Sequence, residues 1–90
     1  MPKAVNYSKG SIIYFEGDMD DRIFILQKGS VLLTSTDIES GNPVAESVKN
    51  GEFFGVKSAL GHFSREETAT VLVPTVVVCL TVQEFELLFS

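Results

Sequence analysis

The stretch Gly51-Glu52-Phe53-Phe54-Gly55-Val56-Lys57-Ser58-Ala59-Leu60-Gly61-His62-Phe63-Ser64-Arg65-Glu66-Glu67-Thr68-Ala69-Thr70-Val71 differs in kind from the sequence around it. Its flanks are β-branched and aromatic and are cut by glycine turns. This segment is rich in small residues and mixes apolar, basic and acidic groups. A turn glycine, two aromatics, a second glycine and then one or two turns of helix predict a pocket floor rather than a ladder strand. The first N–H groups of a helix have no partner within it, so they favour an anion. A small-molecule site is expected here before anywhere else in the chain.

Working outward toward the N-terminus, Lys49-Asn50-Gly51 is a turn, and Pro43–Val48 is a strand that Pro43 can only begin. Residues 37–42, Asp-Ile-Glu-Ser-Gly-Asn, form a polar hairpin loop. Residues 30–36 read as a strand with Val31, Leu33 and Ser35 on one face. Residues 22–27 are another strand, turned by Lys28-Gly29, and residues 11–15 a third, broken by Glu16-Gly17-Asp18. Residues 1–8 are polar and short, a loosely held lead-in. Asp18, Asp20 and Asp21 lack the central glycine and closing glutamate of a calcium loop, so they read as a solvated acidic turn.

Toward the C-terminus, residues 67–73 and Thr75–Leu80 are two strands joined near Pro74. The period then changes. Thr81-Val82-Gln83-Glu84 has capping-box form, and Val82, Phe85, Leu88 and Phe89 follow at helical spacing. A helix is expected from Val82. It runs only about two turns before Ser90 with its apolar face uncovered, so the chain is expected to be part of a longer protein. Short strands with glycine turns and no long helix between them predict a mainly β barrel or sandwich.

Ninety residues allow one domain, 1–90, with a β-roll over about 7–81 and the start of a C-terminal helix over 82–90. The apolar fraction of 44% suffices for a core. A net charge of −5, with seven scattered basic residues, argues against direct nucleic-acid binding by this segment. Cys79, the one cysteine, lies in the apolar run Val76-Val77-Val78-Cys79-Leu80 and reads as a buried small hydrophobe. With no signal-peptide pattern and no run near the ~18 apolar residues of a membrane span, a cytoplasmic protein without membrane attachment is expected.

Several markers now stand in one order: Lys9-Gly10, Phe15-Glu16-Gly17-Asp18, Ile23 to Leu26 followed by Lys28-Gly29-Ser30-Val31, Asn50-Gly51-Glu52-Phe53-Phe54-Gly55, Thr68-Ala69-Thr70-Val71, and the late helix. Together they resemble the cyclic nucleotide-binding domain family, the sensor domain of catabolite-activator-type regulators, cAMP-dependent kinase regulatory subunits and gated channels. The resemblance covers residues 7–89. It implies a double-stranded β-helix (jelly roll) of eight strands, with a short helix in a phosphate-binding cassette and a C-terminal helix. In that fold Gly17, Gly29 and Gly51 fall at corners between strands, as simple turn residues.

The family cassette reads roughly Phe-Gly-Glu, small apolar residues, a variable loop, then an arginine followed by small residues. Its helix presents N–H groups to the cyclic phosphate, its arginine supplies a bidentate charge, and its glutamate accepts from the ribose 2′-hydroxyl. Phe54-Gly55 matches, as does Ser58-Ala59-Leu60. Val56 stands at the glutamate position, with Lys57 next. Counting back from Thr68-Ala69-Thr70-Val71 puts the usual arginine position on Glu67, while Arg65 lies two residues earlier. A two-residue insertion would let Arg65 still reach the pocket; without one, Glu67 points where a phosphate should be. The resemblance therefore implies ligand-binding residues Phe54, Gly55, Val56, Lys57, Ser58, Ala59, Arg65 and Thr68. The ligand would be cAMP, cGMP or another cyclic nucleotide, with no cofactor and no metal.

Two functions remain open at this stage. One is a regulatory domain that senses a cyclic nucleotide or related phosphorylated small molecule and relays it through the C-terminal helix to an output domain, such as that of a transcription regulator. The other is a degenerate, non-nucleotide-binding module for protein interaction or dimerisation, with a homodimer formed through the C-terminal helix. No catalytic residues are assigned. His62 is the one histidine, too few for a cupin-type metal enzyme, and no third group orients it against Ser58 or Ser64.

Overall fold

The structure, a computed structural model, describes residues 1–89; the last position of the expected C-terminal helix, residue 90, lies outside the described residues. The run Ile23-Phe24-Ile25-Leu26 shows how the layers form. A strand whose two faces are both covered reads as continuous hydrophobe rather than as alternation. Its strand, β3 (Ile23–Lys28), follows β1 (Lys3–Tyr7) and β2 (Ile12–Tyr14). Then come β4 (Val31–Thr36), β5 (Pro43–Val48), β6 (Phe53–Phe54), α1 (Val56–Gly61), β7 (Thr68–Val71), β8 (Thr75–Leu80) and α2 (Val82–Leu88).

The strands make two four-stranded antiparallel sheets, in the orders β1-β8-β3-β6 and β2-β7-β4-β5, the jelly-roll arrangement expected from the resemblance. Between them lies the main core of Tyr14, Phe24, Leu26, Val31, Phe54, Ala69, Val71 and Val77. Phe24 stacks on Phe54 at 5.2 Å between ring centroids and on Tyr14 at 5.9 Å. On the opposite face of β3, Ile23 packs with Ala59 and Leu80, and Val56, Val82 and Phe85 close the cluster from the two helices. The short helices thus cover the outer face of one sheet.

Three expectations are corrected. Residues 1–8 are not a loose lead-in: Lys3–Tyr7 pairs along β8, from Lys3 opposite Cys79 to Tyr7 opposite Thr75, and Val5 and Tyr7 pack on the core. The alternation Val5, Tyr7 was too short to stand out from its polar neighbours. Phe53–Phe54, expected as pocket floor rather than ladder, is both: it lines a cleft and is a two-residue strand paired with Phe24 and Ile25. The strand expected over 67–73 ends at Val71, because Leu72 and Val73 turn toward Pro74 and Leu72 N–H donates to the Ser30 carbonyl.

Gly29 marks the tightest corner. Its φ is +122°, and a Cβ there would lie 2.8 Å from the Thr75 Cα at the start of β8. Only glycine allows both the angle and the approach. Thr81 and Glu84 form the predicted capping box of α2: the Glu84 N–H donates to Thr81 Oγ1 at 3.1 Å, and the Thr81 N–H donates to Glu84 Oε1 at 2.9 Å. Phe85 turns inward on α2, whereas Leu88 and Phe89 are exposed. Cys79 is half-buried against the core, and burial pushes its thiol above the ordinary range. Among the described residues no helix is long and apolar enough to cross a membrane.

Candidate functional site

The chain leaves β6 through Gly55, whose φ of +77° lets it turn directly into α1. Glycine here does two jobs. It takes the left-handed conformation at little cost, and it leaves room for Arg65, whose Nη1 would lie 2.6 Å from a Cβ at this position. As N-cap, Gly55 brings no side chain to accept from the first N–H groups of α1, and no acidic residue occupies the first turn.

Beside this turn opens a cleft of about 800 Å³. Phe53, Phe54, Gly55, Val56, Lys57 and Ser58 form one wall, and Ser64 to Glu67 form the wall leading into β7. Glu16 and Gly17 close one end, and the β4–β5 hairpin, through Ser35 to Glu39, overhangs the cleft. The structure therefore brings together six of the expected site residues: Phe54, Gly55, Val56, Lys57, Ser58 and Arg65. Ala59 lies on the inner face of α1, fully buried against Ile23 and Leu80. Thr68 sits outside the lining, where its Oγ1 accepts from the Glu16 N–H at 2.9 Å.

Arg65 is buried at 1% exposure. Its Nη1 donates to the Gly55 carbonyl at 2.6 Å and to Ser58 Oγ at 2.9 Å, and its Nη2 donates to the Arg22 carbonyl at 2.5 Å. Asp20 lies 3.4 Å from Nη2, and the guanidinium covers the Tyr14 ring at 4.2 Å. The arginine thus ties the start of α1 to the loop before β3. Burial raises Asp20 and the hydrogen bonds from Arg22 lower it; with the charges of Arg65 and Arg22 added, its carboxyl stays below the usual range. Arg22 grips Asp20 through Nε at 2.9 Å and Nη2 at 2.7 Å, so Asp20 is tied, while Asp18 and Asp21 are exposed as expected of a solvated acidic turn. Asp18 instead accepts from the Phe15 N–H at 2.9 Å.

Glu67, which one count placed at the arginine position, is half-buried in the lining of the cleft and reaches back to the core. Its Oε2 accepts from the Tyr14 hydroxyl at 2.7 Å. Burial, followed by this bond and the carboxylate charge, pushes Tyr14 far above its ordinary ionisation range, so it remains a donor. Lys57 pairs with Glu66 at 3.4 Å, and both side chains are largely exposed. Such a pair is weak and easily exchanged.

Sequence reading missed Tyr14, Asp20 and Arg22 as supports, and Glu16 and residues 35–39 as walls. They sit 12 to 37 positions before Gly51, in strands and turns that carried ordinary turn or core signals. His62, also singled out, takes φ +58° at the C-cap of α1, beside Phe63 in a separate, smaller hollow.

The family model for the cyclic nucleotide-binding domain matches residues 4–90. Among solved structures, the catabolite activator protein of Thermus thermophilus superposes with a TM-score of 0.84 at 24% identity, covering 98% of this chain and 41% of that one. The regulatory domain of Toxoplasma gondii PKA, crystallised with cAMP, gives 0.85 at 20% identity, covering 99% of this chain and 34% of that one. The cAMP-bound EAL enzyme Bd1971 gives 0.78 at 28% identity, covering 91% of this chain and 22% of that one. The chain thus spans less than half the length of each of these proteins.

Proposed function

The chain belongs to the cyclic nucleotide-binding domain family, and from that premise we propose that it is a ligand-sensing regulatory domain. The ligand is a cyclic nucleotide or a related phosphorylated small molecule, bound in the cleft between the cassette and the approach to β7. The observation that carries this reading is the 800 Å³ cleft itself, floored by the segment Phe53 to Ser58. With Arg65 committed to carbonyls and a hydroxyl of the protein, Lys57 supplies the charge for an anionic group by leaving Glu66.

Phe53 supports a relay. It lines the cleft, and its ring meets Phe85 of α2 edge-on at 5.2 Å and Phe89 at 6.0 Å. A ligand that shifts Phe53 acts on α2 by contact, and α2 passes the change to an output domain in the cytoplasm. The shift requires the ligand to bind the two positions of α2 with different affinity. Sensing of this kind is a binding equilibrium and needs no reaction.

The test is calorimetry and thermal unfolding with cAMP, cGMP and cyclic dinucleotides. We expect binding with a raised midpoint. A missing carboxylate at Val56 and a committed arginine each remove about 1–3 kcal/mol, so affinity falls one to two decades per lost contact. No heat and no shift at millimolar ligand refutes the proposal.

A second reading follows from one specific observation. The cleft sets five carboxylates, Glu16, Asp37, Glu39, Glu66 and Glu67, against two cations, Lys57 and Arg65, of which Arg65 is committed internally. On that reading the domain takes no nucleotide and acts by protein interaction, with the exposed Leu88 and Phe89 in a homodimer. Absence of nucleotide binding together with a concentration-dependent doubling of mass in light scattering selects it.

A further inference from the structure

We propose that the smaller hollow at the end of α1 is a docking site for an arginine side chain of a partner protein, stacked on Phe63 and paired with Asp21. This site is separate from the cleft and does not depend on what the cleft binds.

The hollow follows from the way α1 ends. His62 takes the left-handed conformation, and its N–H and that of Phe63 both donate to the Ser58 carbonyl. The chain therefore folds back over the last turn, and the Phe63 ring lies directly against Gly61, where any Cβ would overlap it. A glycine inside a helix is otherwise unfavourable; here it seats an aromatic ring. That ring stays 37% exposed and joins Met19, Asp20, Asp21, Ser58, Ala59 and His62 around a space of about 320 Å³.

The lining selects its occupant by charge. It holds two carboxylates and neither lysine nor arginine. Asp20 is engaged by Arg22 and Arg65. Asp21 is exposed and makes no hydrogen bond or ion pair among the described residues. Among the described residues no group of three or more His, Cys, Asp or Glu is placed to hold a metal ion, so the matching cation is an organic one. Pockets for whole small molecules run from about 300 to 1,000 Å³, and this one, at the lower limit with Met19 and Phe63 exposed, suits a single side chain entering from outside.

Arginine meets all three features of the lining. Its methylene stem covers apolar surface such as Met19. Its planar guanidinium stacks on an aromatic face and forks onto a carboxylate, which the point charge of lysine does not do. The net charge of −5 steers a basic partner toward the chain. Ser58 lines both the hollow and the cleft, and Asp20 pairs with Arg65 of the cleft wall, so a partner docked here touches the network that shapes the cleft.

The experiment is titration of the chain with the capped tripeptide Ala-Arg-Ala, followed by amide nitrogen–proton correlation spectra, with Ala-Lys-Ala, Ala-Leu-Ala and Ala-Glu-Ala as controls. The arginine peptide is expected to give saturating shifts at Met19, Asp21, His62 and Phe63 with millimolar affinity, and the controls weaker ones. Asp21→Asn and Phe63→Leu alter exposed side chains, and each is expected to weaken binding about 3- to 5-fold, with the remaining peaks unmoved. No saturating shift, shifts centred outside the hollow, an equal response to the lysine or leucine peptide, or unchanged affinity in both variants overturns the proposal.

Discussion

Replacing Arg65 by Met tests the account of the site most directly. Methionine keeps much of the buried volume, so the cavity penalty is small. It removes every donor. The carbonyls of Gly55 and Arg22 and the hydroxyl of Ser58 then lose their bonds to a charged group. Each such bond contributes about 1.5–3 kcal/mol, but the three share one guanidinium and do not add. Removing one member of a buried charged network costs about 3–5 kcal/mol. A 90-residue domain has on the order of 5–14 kcal/mol of stability, so the loss is about a fifth of the total or more. Thermal unfolding followed by circular dichroism is expected to show a fall in Tm of about 12 °C or more. Arg65→Lys keeps the charge but not the fork that reaches α1 and the Arg22 carbonyl together, and is expected to recover less than half of the loss. A Met variant within about 1 kcal/mol of wild type in urea unfolding would show that Arg65 is not the tie between α1 and the loop before β3.

Three further outcomes are expected. The Asp20 carboxyl is held below its usual range in the folded state, so its stabilising contribution is complete above the unfolded value near pH 4 and is lost as pH falls below it; Asp20→Asn is expected to flatten urea-derived stability between about pH 4 and pH 2, and an unchanged slope would rule out this role. Gly29→Ala forces a Cβ against the backbone of Thr75 at a φ of +122°, and is expected to cost about 3 kcal/mol or more; a normal Tm in that variant would contradict the corner geometry. Thr81→Ala removes the side-chain acceptor of the capping box and is expected to cost about 1 kcal/mol, read as a Tm lowered by about 4–8 °C with reduced helical ellipticity.

The fold was largely legible because its signals are local. Glycine turns, the β-branched runs around them and the Thr81–Glu84 cap each depend on neighbours within four residues. What escaped were elements whose stability comes from a distant partner. The strand Lys3–Tyr7 exists because β8 offers an unpaired edge some seventy residues away, and Phe53–Phe54 is a strand because β3 lies beside it. Neither property is written in the segment itself.

The site divides along the same line. The residues from Phe54 to Ser58 announced a cassette by composition and order, since a glycine that must turn into a short helix leaves a local signature. Sequence alone also determined which groups are present: an apolar Val56 and a basic Lys57 after the glycine, and Arg65, Glu66 and Glu67 before the next strand. It left two placements open for the arginine, because counting residues across a loop does not say which side chains turn inward. Only the tertiary structure decided that Arg65 is buried on the carbonyls of Gly55 and Arg22 while Glu67 is held at the cleft by Tyr14. The physical reason is that a buried guanidinium needs acceptors, here found by its two terminal nitrogens. The carbonyl acceptors come from segments 10 and 43 positions away, which only the folded chain brings within reach.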